Sequence, residues 1–255
     1  MAAGRGRRVT TVLLILLVFL GGLLVAADRV AAYAAAQKLA SQAQQEMANR
    51  GITTPDKPTA TIGGFPFLTQ VVRGRYDRVT IHAQQLHTDQ GVTVDTLDVT
   101  ATGINATTSA LMNGQGNITA DNVTGTARVG WATVTSLIKT SGTGMKSVTV
   151  TALPDGQLQM TTPVTVLGLS TTAVATGTVV VDGSVVHVKI NTVRAQGGDV
   201  PPGLSSIIGS LRTALSVDVA IPPLPYKLKI QSVQSTVEGL AVTAYATNVP
   251  LATRS

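Results

Sequence analysis

The sequence predicts an α+β fold: a curved antiparallel β-sheet that a long N-terminal helix can approach closely, with short additional helices. Three observations carry this expectation. An Ala- and Gln-rich stretch free of Pro and Gly runs from Ala26 to Asn49, Thr and Val dominate almost everything after it, and the apolar residues of that second region alternate with Thr, Ser and Gln. The first pattern belongs to a helix, the other two to half-buried strands.

Each element follows from local chemistry. The helix stops at Arg50-Gly51, a basic last turn followed by a residue free to turn left-handed. Val30, Ala34, Leu39, Ala43 and Met47 are expected to form its mostly small apolar stripe, which a sheet can approach closely. A polar linker, Thr53 to Pro58, follows. Val148, Val150 and Ala152 alternate with Ser147, Thr149 and Thr151; Pro154-Asp155-Gly156 turns the chain, and Leu158 and Met160 continue the pattern. A second hairpin joins Val179–Val181 to Val186, Val188 and Ile190 through Asp182-Gly183, and a third joins Leu228 and Ile230 to Leu240, Val242 and Ala244 through Glu238-Gly239. Val92 and Val94 alternate, but Leu97 and Val99 continue one residue out of phase, which predicts a bulge and a bent strand. Two short helices are expected, one over Gly130–Lys139 and one over Leu204–Leu215.

Composition narrows the function. A chain of 255 residues suits one large domain or two small ones, and 44% hydrophobic with 13% charged residues is too apolar for a disordered chain. The absence of Cys excludes a disulfide scaffold, a thiolate metal site and a Cys nucleophile. The net charge of +6 comes from 19 basic and 13 acidic residues, and Arg5, Arg7 and Arg8 supply half of that excess. Removing residues 1–27 leaves 19 − 3 = 16 basic against 13 acidic residues, only +3. No dense basic stripe with interleaved aromatics is present, so no nucleic-acid partner is expected.

The first thirty residues set the compartment. Val9 to Ala27 carries no charge, follows three arginines and is closed by Asp28. As a helix rising ~1.5 Å per residue it reaches about 28 Å, close to the ~30 Å hydrocarbon core of a bilayer. A positive flank before such a run predicts an inside amino terminus and an exported remainder. A cleavable signal peptide is the other reading, and Val25-Ala26-Ala27 and Ala32-Tyr33-Ala34 both offer the small residues a peptidase requires. Residues 1–27 are thus a membrane anchor or signal peptide, and residues 28–255 a single domain on the outer, periplasmic side of the cytoplasmic membrane, anchored or secreted.

The residues offer little to catalysis. His82 and His87 are five apart, so on a regular strand they point to opposite faces, and His187 stands alone among valines. No Gly-x-Ser-x-Gly elbow occurs. Gly142–Ser147 has Met145 where a phosphate loop needs Gly before Lys, and a strand rather than a helix follows. Asp95 and Asp98 belong to a strand pattern and form no evident acid/base pair. No catalytic residue, metal site or cofactor is expected.

The segment Gly63 to Ile81 has the most character. It holds Phe65 and Phe67 and places Arg73, Arg75 and Arg78 within six positions. One reading sends both aromatics into a membrane interface and the arginines to lipid phosphates. The other makes Phe-Pro-Phe a core plug after a Gly-Gly turn and the basic strand merely solvated.

Gly64-Phe65-Pro66-Phe67-Leu68-Thr69-Gln70 and the trailing Gly74-Arg75-Tyr76-Asp77-Arg78-Val79 resemble the hallmark of the LmeA-like phospholipid-binding family of actinobacterial envelopes. The resemblance extends to Ile221-Pro222-Pro223-Leu224-Pro225-Tyr226 and the Glu238-Gly239-Leu240 hairpin, and covers about Val12 to Leu251; Lys227 stands where the family more often has a small residue. It implies a tubular lipid-binding fold, with a sheet curled around a helix to leave an apolar cavity for acyl chains. It also implies a non-enzymatic cell-envelope protein that binds phosphatidylinositol-type lipids and supports mannan-chain elongation in lipomannan and lipoarabinomannan maturation, or lipid delivery, alongside an envelope mannosyltransferase. Phe65, Phe67, Arg73, Arg75 and Arg78 are then the lipid-binding candidates, with anionic phospholipid and the membrane as partners. Such a carrier must replace roughly 0.8 kcal/mol per CH₂ that an acyl chain loses in water, about 13 kcal/mol for sixteen carbons. The alternative is a membrane-anchored interaction protein that docks an envelope glycosyltransferase without holding lipid. A glycan-modifying enzyme would need paired carboxylates in one cleft.

Overall fold

Alanine at every fourth position decides how the long helix meets the rest of the chain. In the computed structural model, which describes residues 3–252 except 90, 108, 111–115, 141–146, 154–155, 167–168, 183–184, 197–211, 214–215 and 221–226, helix α1 (Ala3–Asn49) is continuous. Its first half is the apolar run, with Val12 to Leu20 exposed. Its second half buries Asp28, Ala32, Ala36 and Ala40, flanked by half-buried Ala31, Ala35 and Leu39. This corrects the expected stripe: Val30 is 69% exposed and Ala34 is also exposed, while Leu39, Ala43 and Met47 fall beside the buried line. The helix lies against β1 (Ile52–Thr53), β2 (Thr59–Gly63) and α2 (Phe67–Arg73). Methyl side chains permit that close approach, and a branched Val on the same line would hold the strand away. The predicted stop is present: Arg50 and Gly51 donate to the carbonyls of Met47 and Ala48, and Gly51 has φ 72°.

The strands are all antiparallel, but they form two sheets where one was expected. The first has the order β1-β3-β4-β5-β12-β11, with β2 also paired to β3. It uses β3 (Arg75–Thr88), β4 (Thr93–Asn105), β5 (Ile118–Gly130), β11 (Lys229–Ser235) and β12 (Gly239–Ala252). The second, of order β10-β9-β8-β7-β6, contains β6 (Thr149–Ala152), β7 (Leu158–Val166), β8 (Leu169–Asp182), β9 (Val185–Ala195) and β10 (Val217–Ala220). The division has a simple cause. After β5 the chain enters helix α3 (Trp131–Thr140) and builds the second sheet as one contiguous block, and only β11 and β12 return to close the first.

The three predicted hairpins are present, with Ala152 opposite Leu158, Asp182 opposite Val185 and Ser235 opposite Leu240. The first α3 residue matches the expected helix over 130–139 within one position. The helix expected over Leu204–Leu215 lies outside the described residues apart from the helical pair Arg212 and Thr213. The expected bulge between Val94 and Leu97 takes another form. Their partners Leu86 and Ala83 are both buried although three residues apart, so the phase does slip, yet the register is unchanged from Gln84↔Thr96 to Leu86↔Val94. The slip is taken up at Gln85 in β3, at φ 49°, and no residue is inserted in either strand.

Each sheet buries its own core. Phe67, Tyr76, Ile104, Val123 and Val249 fill the first together with Ala32 of α1. Val148, Val150, Leu158, Met160 and Ile190 fill the second, and Val129 and Leu240 from the far end of the first sheet, with Trp131 at the start of α3, pack against it. Trp131 Nε1 donates to the carbonyls of Thr236 (3.1 Å) and Val237 (3.2 Å), tying the β11–β12 turn to the start of α3.

Enlarging the buried helix stripe tests this packing. Ala40→Leu should destabilise the chain by about 1–3 kcal/mol, while Ala34→Leu on the exposed side should stay within about 0.5 kcal/mol. Thermal unfolding midpoints of the two variants in detergent check the difference.

Candidate functional site

The site is built around the residue that ends the apolar run. Asp28 is 3% exposed, and its Oδ1 accepts the backbone N–H of Leu68 at 2.8 Å. Its Oδ2 accepts from Arg29 Nη2 at 2.5 Å and Nε at 3.2 Å. Arg29 Nη2 also reaches the Gly64 carbonyl at 3.4 Å, and its guanidinium stands 5.0 Å from the centre of the Phe65 ring. Burial pushes the Asp28 carboxyl upward, but the amides of Leu68 and Phe67 and the Arg29 guanidinium prevail and hold it below the usual carboxylate range. One side chain thus joins α1 to the N-terminal turn of α2.

The hallmark string folds as a clamp around this junction. Pro66 is extended, at φ −74° and ψ 142°, after a cis Phe65–Pro66 bond, and leads into α2; Gly74, at φ 64°, ends that helix by returning its N–H to Gln70 and Val71. Buried Gln70 donates through Nε2 to the Gly63 carbonyl at 3.2 Å and accepts the Asp77 N–H through Oε1 at 2.8 Å, so one amide ties the turn before α2 to the strand after it. Gly64 has φ 89°, and a Cβ there would lie against the Asp77 carboxylate and 2.6 Å from Gln70 Nε2.

The five predicted site residues divide between core and surface. Phe67 is 6% exposed, belongs to the first core and lies 6.3 Å from the Tyr76 ring at 43°. It is the core plug, and the interfacial reading is left to Phe65, which is 60% exposed. Arg73 ends α2, and Arg75 and Arg78 open β3; all three are exposed. Arg75 pairs with Asp121 at 2.9 Å and donates to Asn105 Oδ1 at 3.2 Å. Arg73 and Arg78 make no ion pair with any described residue.

Sequence reasoning missed the partners that shape this region. Asp28 stands in the sequence reading only as the residue that closes the apolar run and Gln70 only as a member of the hallmark string, and Arg29 is not singled out there. Leu68 and Val72 are four apart in α2 and both exposed, 42% and 86%, and that spacing was the available signal.

A groove of about 570 Å³ opens at the other edge of the first sheet. Lys227, Lys229, Tyr245, Asn248 and Pro250 line it above buried Ala246 and Val249. Its volume falls within the usual range for small-ligand sites, and two exposed ammonium groups favour an anion there. The Pro-rich segment 221–226 precedes it outside the described residues. Histidine chemistry stays local: His82 Nδ1 lies 2.6 Å from Asp98 Oδ1 with Gln84 against its other nitrogen, while His87 Nδ1 meets the Gln85 carbonyl. Among the described residues no group of three or more His, Cys, Asp or Glu side chains converges to hold a metal.

Two outcomes follow from the clamp. A carboxyl held low in the folded state adds stability above its unfolded pKa and loses it as pH falls through the lower folded value. Asp28→Asn should therefore flatten the acid limb of a plot of thermal midpoint against pH below about 4, relative to the parent chain. Gly64→Ala should cost about 1–3 kcal/mol, since it adds a side chain in a left-handed conformation against a carboxylate, and chemical denaturation measures it.

No curated protein and no solved structure matches the chain. A family model described as LmeA-like phospholipid-binding matches residues 26–245, from the last turn of the apolar run to the middle of β12. That span takes in the Asp28 junction, the Gly64–Gln70 clamp, the second sheet and the first sheet as far as the middle of β12, and the chain belongs to the LmeA-like phospholipid-binding family.

Proposed function

We propose that the chain is a non-enzymatic phospholipid-binding protein of the cell envelope, working on the outer side of the cytoplasmic membrane. The observation that carries this reading is the family match over residues 26–245, which supports a lipid-binding role. The long apolar helix is consistent with a signal peptide or membrane anchor, and residues 28–255 act as one lipid-binding unit behind it. Anionic phospholipid of the phosphatidylinositol type is the proposed ligand. Arg73 and Arg78, exposed and without an ion pair among the described residues, are the cations proposed for its headgroup. Arg75 joins them by exchanging Asp121 for phosphate, a low-cost exchange because an exposed ion pair contributes only about 0–1 kcal/mol. Support of mannan-chain elongation in lipomannan and lipoarabinomannan, beside an envelope mannosyltransferase, is the proposed biological setting.

Native mass spectrometry with lipid extraction, on the chain purified from a lipid-containing host, tests the reading. A stoichiometric phospholipid is expected. A chain that is empty and takes up no anionic phospholipid from vesicles would overturn it in favour of glycosyltransferase docking without lipid. Replacing Arg73, Arg75 and Arg78 together by Glu should weaken low-salt binding of anionic lipid by at least about 100-fold, at roughly 1 kcal/mol per lost cation. Unchanged binding would remove these residues from the site.

A further inference from the structure

We infer that α2 and the Phe65 turn before it form a membrane-docking element, which seats the first sheet on the outer leaflet of an anionic phospholipid bilayer. The inference deepens the phospholipid-binding reading and rests on it for the presence of a bilayer.

The seven-residue helix α2 has two unlike faces. Phe67 and Gln70 face inward and are buried, one in the core and one in the clamp. The outward side of a surface helix is ordinarily polar, yet here it carries Leu68 and Val72 one turn apart, continued by Phe65. Three large apolar side chains exposed within eight consecutive residues mark a contact surface, unlike a single exposed one. Val237 supplies the contrast. It is 92% exposed, but among the described residues it is the one exposed large apolar side chain of the β11–β12 turn, at the opposite end of the first sheet.

The height of the patch identifies the occupant. The apolar run ends at Ala27, and the next two residues hold α2: Asp28 accepts the Leu68 amide, and Arg29 reaches the Gly64 carbonyl and the Phe65 ring. When the run lies in the hydrocarbon core, α2 is therefore at the level where the bilayer ends, which is the depth an interfacial helix takes. Charge agrees with this placement. Arg29, held by Asp28, stands beside Phe65 at one end of the apolar patch, and Arg73, without an ion pair among the described residues, ends α2 at the other, at the depth of the lipid phosphates. A protein partner would not explain why the patch is hydrogen-bonded to the residue that closes the apolar run.

The chain has no Cys, so a single introduced thiol is a unique label. Leu68→Cys, Val72→Cys and Val237→Cys, each carrying a nitroxide, are reconstituted as the full chain in phosphatidylcholine vesicles containing phosphatidylglycerol. Collision with oxygen is compared with collision with a water-soluble nickel chelate. Labels at 68 and 72 are expected to favour oxygen and report the interface, while the label at 237 reports water. Labels at 68 and 72 as open to the nickel chelate as the one at 237 would overturn the docking element. Lipid extraction from the same labelled chains purified in detergent, before any vesicle lipid is added, separates this failure from failure of the phospholipid-binding reading: a stoichiometric copurified phospholipid together with water-exposed labels rejects docking alone.

Discussion

The Asp28 carboxylate is the constraint on which the rest of the arrangement depends. A buried charge is tolerated only where hydrogen bonds and an opposite charge replace its water. Here the replacements come from a sequence neighbour, Arg29, and from the amide of Leu68, forty residues away. That second bond fixes the rotation of α1. With Asp28 turned inward, the positions four, eight and twelve residues later turn inward too, and all three are alanine. Val30 and Tyr33 are thereby turned outward, and β2 can lie close along the helix. A single polar contact and a run of small residues together determine which side of a largely apolar helix meets the sheet.

The same contact couples the clamp to the helix. Gln70 could hold Gly63 and Asp77 in a soluble protein without any membrane segment, since both its bonds are internal to the turn and strand. The additional bond from Leu68 to Asp28 ties that clamp to the end of the apolar run. Glycine at 64 is required by the closeness of the Asp77 carboxylate and the Gln70 amide, and Phe67 is drawn into the core beside Tyr76 by the turn that Pro66 begins. Gly64, Pro66, Phe67 and Gln70 serve the clamp and the core, which leaves Phe65 and Leu68 as the exposed large apolar side chains of the string.

Much of the fold was legible because alternation and helix-stop signals are local. The three hairpins, the Arg50-Gly51 stop and α3 each follow from fewer than about twenty residues in sequence. What was not legible is set by distant partners. The burial stripe of α1 contains too many alanines for composition to choose among its faces, and the choice is made by the Leu68 amide. The division into two sheets depends on β12 returning to pair with β5, more than a hundred residues away in sequence. The slip at Leu97 was visible, but whether one strand or both absorbed it depended on Gln85 across the ladder. In the candidate site, the two aromatics of Phe-Pro-Phe are chemically equivalent in sequence, and only the turn geometry separates the buried ring from the exposed one.

The distribution of charge around the hallmark string carries the last step. A strand that was only solvated would gain little from three arginines in six positions, since exposed ion pairs contribute about 0–1 kcal/mol and are weakened by salt. Arg75 has such a pair with Asp121, while Arg73 and Arg78 have none among the described residues. Arg29 is different, because its charge is committed to a buried carboxylate whose loss would leave Asp28 uncompensated. The cations therefore serve unequal roles: Arg29 holds the junction together, and Arg73 and Arg78 remain available to an anionic surface beside the apolar patch. In the proposed site, lipid phosphate held by Arg73 and Arg78 leaves the Asp28–Arg29 contact intact, and an element that must engage and release lipid without unfolding its own attachment requires that separation.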